Sequence, residues 1–113
     1  MASEAERAYN RSWYARNKER IGAVKLARSQ AVRRRNRALA RRAKDRPCAD
    51  CGVTYPSYVM QFDHLGDKKF SIADACGQGF SEATLLAEMD KCEVVCANCH
   101  AARTYQRRHR ELV

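Results

Sequence analysis

At 113 residues the chain has room for one small domain and an appendage. A mean hydropathy of −0.67 with 31% charged residues leaves no stretch near the roughly 20 apolar residues of a membrane span. The net charge of +9 is unevenly spread: residues 1–47 hold 15 Lys/Arg against 4 Asp/Glu, and residues 48–113 hold 7 against 9. A polycationic segment joined to a nearly neutral, cysteine-rich module points to a polyanionic partner, nucleic acid above all. An acidic membrane surface lacks support, because the arm has no long apolar face to lie in a bilayer.

Residues 1–7 lack the charged-then-apolar pattern of a secretory signal, so a cytoplasmic protein is expected. The six cysteines would by number fit three disulfides. In a chain read as cytosolic, two CxxC pairs favour metal ligation instead.

Ser3 followed by Glu6 is a capping-box pattern, and no proline appears before Pro47. Ala, Arg, Lys, Glu and Leu dominate between them, which predicts one long helix, or two broken near Gly22. Tyr9, Trp13, Ile21, Val24 and Val32 form an apolar stripe too thin for independent stability. Arg33, Arg34, Arg35, Arg37, Arg41 and Arg42 then go round every face of that helix. With few acids nearby they repel one another unless counter-charge arrives, so phosphate contact is expected without readout of bases. We therefore divide the chain into a basic helical arm, residues 1–46, and a second domain, residues 47–113.

Cys48-Ala49-Asp50-Cys51-Gly52 reads as a zinc knuckle, with Gly52 free to take the tight turn. Residues 59–64 alternate as a short strand carrying Asp63 and His64. Residues 68–72 read as a brief return strand or an extended loop, and Gly77-Gln78-Gly79 as flexible. Ser81 caps a helix to about Lys91, with Ala83, Leu85 or Leu86, and Met89 on its inner face. Glu93-Val94-Val95 reads as a strand entering Cys96, and a last helix runs from about Asn98 to His109.

Cys48, Cys51, Cys96 and Cys99 form a CxxC…CxxC set with 44 residues between its halves. Four thiolates make a closed, structural Zn²⁺ site, and metal binding would help a module of roughly 65 residues to fold. Cys92 reads as a small buried hydrophobe near that site and Cys76 as a loop thiol. With zinc satisfied by sulfur, His64 and His100 are left for other work. A carboxylate with imidazoles suits a second, open divalent-metal site and a general base.

Cys48-x-x-Cys51, Phe62-Asp63-His64-Leu65, the segment Leu86 to Cys92, and Cys96-x-x-Cys99-His100 followed by Arg103-Thr104 together resemble the HNH endonucleases, in their zinc-stapled bacterial and phage form. The resemblance covers about residues 48–108. It implies an α+β fold in which a small zinc-stapled ββα-metal module follows the basic α-helical arm. It also implies metal-dependent hydrolysis of DNA phosphodiester bonds to 5′-phosphate and 3′-hydroxyl, in the cytoplasm of a bacterium or a phage-infected host. By analogy, Asp63 and His100 would ligate one Mg²⁺ or Mn²⁺, and His64 would deprotonate the attacking water. Arg103 and Thr104 become candidate DNA contacts, with Lys68 and Lys69 more distant ones. The family's middle Asn has no counterpart here; Lys91 or Cys92 occupies that neighbourhood, and Asn98 reads as a cap of the last helix.

A non-catalytic zinc-stabilised DNA-binding protein is the alternative, in which the arm is the functional part. An RNA-binding zinc-ribbon protein has only the charge in its favour. A nuclease with one site per chain that cuts both strands usually works as two copies, so a homodimer is compatible with the enzyme reading.

Overall fold

The Ser3–Glu6 pair opens the first helix as its spacing predicts. In the computed structural model, which describes residues 1–110, Ser3 Oγ accepts from the Glu6 amide at 3.1 Å and Glu6 Oε2 accepts from the Ser3 amide at 3.0 Å. These bonds satisfy backbone donors that a helix start otherwise leaves open. Helix α1 then runs unbroken over Glu4–Ala43. Gly22 does not interrupt it, so the single-helix alternative holds.

The chain forms two compact units, Met1–Val32 and Arg33–Val113. In the first, Tyr9, Trp13, Tyr14, Val24 and Leu26 are exposed. In the second, the end of α1 enters the core. Asn36 is fully buried, and its Nδ2 donates to the Phe80 carbonyl at 2.8 Å.

The second unit contains strand β1 (Met60–His64), helix α2 (Ile72–Gln78), helix α3 (Glu82–Met89), strand β2 (Cys92–Cys96) and helix α4 (Ala97–His109). A single 3₁₀ turn, Ser57–Val59, leads into β1. With α1 this makes, among the described residues, an α+β architecture of four helices and one antiparallel two-stranded sheet. Its register pairs Met60 with Cys96, Asp63 with Glu93 and His64 with Cys92. Two strands alone are marginally stable in water, so packing on both faces must hold them.

That packing comes from two apolar clusters. Cys48, Met60, Val94, Val95 and Cys96 form one, around the cysteine site. Ile72, Ala75, Cys76 and Leu85 form the other, closed by Leu39 and Ala40 of α1 and by Phe70 set edge-on to Phe80, ring centres 4.8 Å apart. Phe62 touches both clusters.

Several local expectations change. Residues 68–72 make no return strand. Ser71 Oγ instead accepts from the Asp74 amide at 3.1 Å and starts α2, and Gly79 ends it in the left-handed conformation at φ 73°. Ile72, Ala75 and Cys76 lie at i, i+3 and i+4, so they share the buried face. Cys76 is therefore a buried helix residue and not a loop thiol. Cys92 packs on the second cluster, which also holds Cys76, and not on the one around Cys48 and Cys96. On α3, Leu85 and Glu88 are buried and Met89 half-buried, while Ala83 and Leu86 are exposed. Helix α4 is capped by Cys96, whose Sγ accepts from the Cys99 amide at 3.4 Å, so Asn98 is not its cap.

Candidate metal centre and nucleic-acid cleft

The two knuckles meet because β2 ends at Cys96, against the segment that carries Cys48. The Sγ atoms of Cys48, Cys51, Cys96 and Cys99 all lie within 4.8 Å of one another. Tetrahedral zinc at about 2.3 Å from each sulfur needs sulfurs about 3.8 Å apart, so the set needs little contraction to hold such an ion. Gly52, at φ 72°, makes the turn, and its amide donates to the Cys48 carbonyl at 2.9 Å.

The thiols are already unequal. Burial raises the Cys48 thiol, but amides of Cys51, Cys96 and Asp50 outweigh it and bring it to about 6. Cys99, which hydrogen-bonds Cys96 and is desolvated beside the other thiols, is pushed up to about 12. Cysteines ligate metal as thiolates, and a bound cation would offset the repulsion among four of them. Among the described residues, no other group of three or more His, Cys, Asp or Glu is so arranged.

One residue past the knuckle, α4 crosses the face of β1 that bears Gln61 and Asp63. His100, Arg103 and Arg107 follow one another down that side of the helix. Asp63 is 3% exposed at its side chain, and its Oδ1 lies 3.4 Å from His100 Nε2. Gln61 Oε1 sits 2.6 Å from His100 Nδ1. An amide oxygen only accepts, so Nδ1 carries the proton; in the neutral ring Nε2 then turns a lone pair toward Asp63, whereas in the imidazolium it donates to that carboxylate. In the neutral form the two acceptors would be a pair that could share a cation.

Arginines also claim this carboxylate. Arg107 grips Asp63 with both ends of its fork, each at 2.7 Å, and Arg103 Nη1 adds a bond at 2.8 Å. The Arg107 bonds, then those of Arg103, hold the Asp63 carboxyl well below the usual range. Arg103 also donates to Asp50 at 2.6 and 2.7 Å and pairs with Glu93 at 3.0 Å. It thereby links the first knuckle, β1 and β2, and is 16% exposed, whereas Arg107 is 48% exposed. For Asp63 and His100 to hold a cation, Arg107 would have to withdraw from the carboxylate. Thr104 is half-buried and, with His100, lines a shallow hollow along α4.

His64 occupies the opposite face of β1, as alternation along a strand requires. Its Nε2 is buried 3.2 Å from Glu88 Oε1, without an aligned hydrogen bond. Glu88 was not anticipated as a site residue; a carboxylate three positions after Leu85, on the inner face of α3, was the available signal. It is 3% exposed at its side chain, accepts from the Lys69 amide at 2.9 Å and pairs with Lys91 Nζ at 3.0 Å. The Lys69 amide, then Lys91, outweighs desolvation and brings its carboxyl down to about 2.

On the same side as His64, the end of α1 and helix α2 bound a cleft of about 510 Å³. Arg37, Arg41, Lys44 and Lys68 stand around it. Gln61 lines both this cleft and the hollow around His100, so the two adjoin beside β1. Of the other expected DNA contacts, Arg34 and Arg42 are exposed and Arg33 half-buried. Arg35 turns inward to Asn36 Oδ1 at 3.0 Å, and the Lys69 side chain is exposed while its amide serves Glu88. The chain matches no family model, no curated protein and no solved structure.

Proposed function

We propose that this chain is a metal-dependent endonuclease of the HNH type that hydrolyses DNA phosphodiester bonds. The carrying observation is the approach of His100 Nε2 to Asp63 Oδ1 at 3.4 Å, with Nδ1 occupied by Gln61, one residue past the four-cysteine cluster. In this reading Cys48, Cys51, Cys96 and Cys99 hold structural Zn²⁺, which fixes the start of α4 and hence where His100 points.

Asp63 and His100 are the residues that would hold Mg²⁺ or Mn²⁺, which when bound would neutralise the scissile phosphate and the departing 3′ oxygen. His64 turns Nε2 toward Glu88, so Nδ1 is the nitrogen that accepts the proton of the attacking water from the cleft side. The Glu88 carboxylate favours the imidazolium so formed. Arg107, released from Asp63, and Arg103 supply charge to the phosphate, and Arg37, Arg41, Lys44 and Lys68 hold the flanking backbone. The products would be a 5′-phosphate and a 3′-hydroxyl.

Plasmid nicking with Mg²⁺ and with Mn²⁺ tests the proposal, using wild type, His64→Ala and His100→Ala. Loss of general-base catalysis costs about 10²- to 10⁴-fold, so His64→Ala should leave supercoiled DNA nearly intact. A second reading, a non-catalytic zinc-stabilised DNA-binding protein, is favoured by the full engagement of Asp63 with Arg103 and Arg107. Wild type that shifts DNA on a gel, yet cuts none with either ion, would select it.

A further inference from the structure

The cleft beside His64 has more than a phosphate backbone needs. Its volume of about 510 Å³ lies in the range of sites that enclose small molecules. Four cations stand around it, and among the described residues no carboxylate lines it. Its wall, however, is apolar: Phe62, Ile72 and Cys76, with Ile72 and Cys76 nearly fully buried behind it. Tyr58 also lines it and is 86% exposed, a large aromatic ring left in water. Lys44 Nζ lies 5.3 Å from the centre of the Phe62 ring, which leaves Tyr58 as the open stacking surface.

Phosphate and sugar would use the cations but not an aromatic and aliphatic wall. A nucleobase would use both, because its flat face stacks on an aromatic ring while its own phosphates meet the surrounding charge. A base inside a duplex has both faces stacked and cannot offer one to Tyr58. We infer that the cleft receives one unpaired nucleotide of the DNA strand being cut, its base on Tyr58 and its phosphates on Arg37, Arg41, Lys44 and Lys68. Ser57, Ser71 and Gln61, also in the lining, supply hydrogen-bonding groups for the base edge. The inference rests on the nuclease reading for one point only, that the scissile phosphate lies next to His64. The preferred substrate is then DNA with an unpaired nucleotide at the cut, such as a bulge, a flap or a single strand.

The test uses the full chain without added Mg²⁺ or Mn²⁺ and DNA carrying 2-aminopurine, either paired in a duplex or unpaired in a bulge. The bulged DNA should bind at least about tenfold tighter, with its fluorescence quenched by stacking. Tyr58→Ala should weaken bulge binding by about fivefold to hundredfold, the range seen for loss of one base–aromatic stack, and leave duplex binding unchanged. Equal affinity for the two DNAs, or a Tyr58→Ala effect equal on both, overturns the inference. So does tighter binding of the same strand made as RNA. Cleavage is scored separately after adding Mn²⁺. Preference for the bulge without any cutting supports the cleft assignment and sinks the nuclease reading. Cutting of matched duplex with no preference does the reverse.

Discussion

Glu88 Oε1 stands 3.2 Å from His64 Nε2, joining the last turn of α3 to the end of β1. A carboxylate 3% exposed in so small a unit is unusual, since charge is rarely buried without partners. Glu88 has three: the Lys69 amide, Lys91 and His64. In a nuclease it would be a positioning residue, holding the ring so that Nδ1 meets the cleft.

Glu88→Gln keeps the shape of that side chain and removes its charge. Cutting should fall by about tenfold or more, with the pH–rate profile displaced because the imidazolium loses its partner. A purely structural role would lower the melting temperature and leave the profile in place. Glu88→Ala, which removes the contact as well, should lose more activity than Glu88→Gln.

The same carboxylate shapes acid stability. Glu88, near 2 when folded against an ordinary 4.5, and Asp63, depressed from 3.8, both prefer to be ionised in the folded chain. Such groups add stability that is present above the ordinary values and is lost as pH falls through the folded ones. Thermal melting should therefore be level above about pH 5 and decline steadily between about pH 4.5 and 2. In Glu88→Gln the decline over that window should be shallower; an unchanged slope would remove Glu88 from the account.

Arg107 competes for Asp63 with any cation. Its side chain is 48% exposed, and removing one exposed charge contact alters an interaction by about 1 kcal/mol or less. Arg107→Ala should thus strengthen Mn²⁺ binding by up to about fivefold, read by electron paramagnetic resonance titration. In gel shifts it should weaken DNA binding. Unchanged Mn²⁺ affinity would mean that Asp63 is not where the ion sits.

The cysteine cluster should bind one zinc per chain, counted by release to a colorimetric chelator. Structural zinc sites of this kind carry apparent binding energies of about 10–16 kcal/mol near neutral pH, so Cys96→Ser or prolonged chelation should abolish cooperative melting. Cys76→Ser and Cys92→Ser should leave the zinc count unchanged, because Cys76 and Cys92 lie in the other cluster. Loss of zinc in either would redraw the site.

Truncation of the arm has a structural limit. Asn36, Leu39 and Ala40 belong to the second unit, with Asn36 bonded to the Phe80 carbonyl at 2.8 Å. Deleting residues 1–32 should leave the melting transition in place while weakening DNA binding and lowering its salt dependence. Asn36→Ala in the full chain should cost about 1–3 kcal/mol, the penalty for a buried polar group stripped of its partner, as read by urea unfolding. If the deletion leaves the salt slope unchanged, phosphate contact belongs to the second unit alone.

Local spacing in the sequence determined the capping box of α1, the two knuckles, strands β1 and β2, and helices α3 and α4 nearly to their ends. Each is written within a few residues: a cap, a turn glycine, an alternating or helical repeat. Helix α2 escaped because its start rests on one serine and its body is seven residues long, too short for a repeat to stand out. The junction after Cys99 was equally legible, since two cysteines followed at once by a histidine place His100 beside the knuckle whatever the rest does. What Asp63 and His64 face was decided only by tertiary structure. Adjacent residues on a strand point opposite ways, so their partners came from helices distant in sequence: Arg103 and Arg107 of α4 for one, Glu88 of α3 for the other. No spacing rule reaches across those separations; packing of the helices on the two faces of one short sheet brings them together.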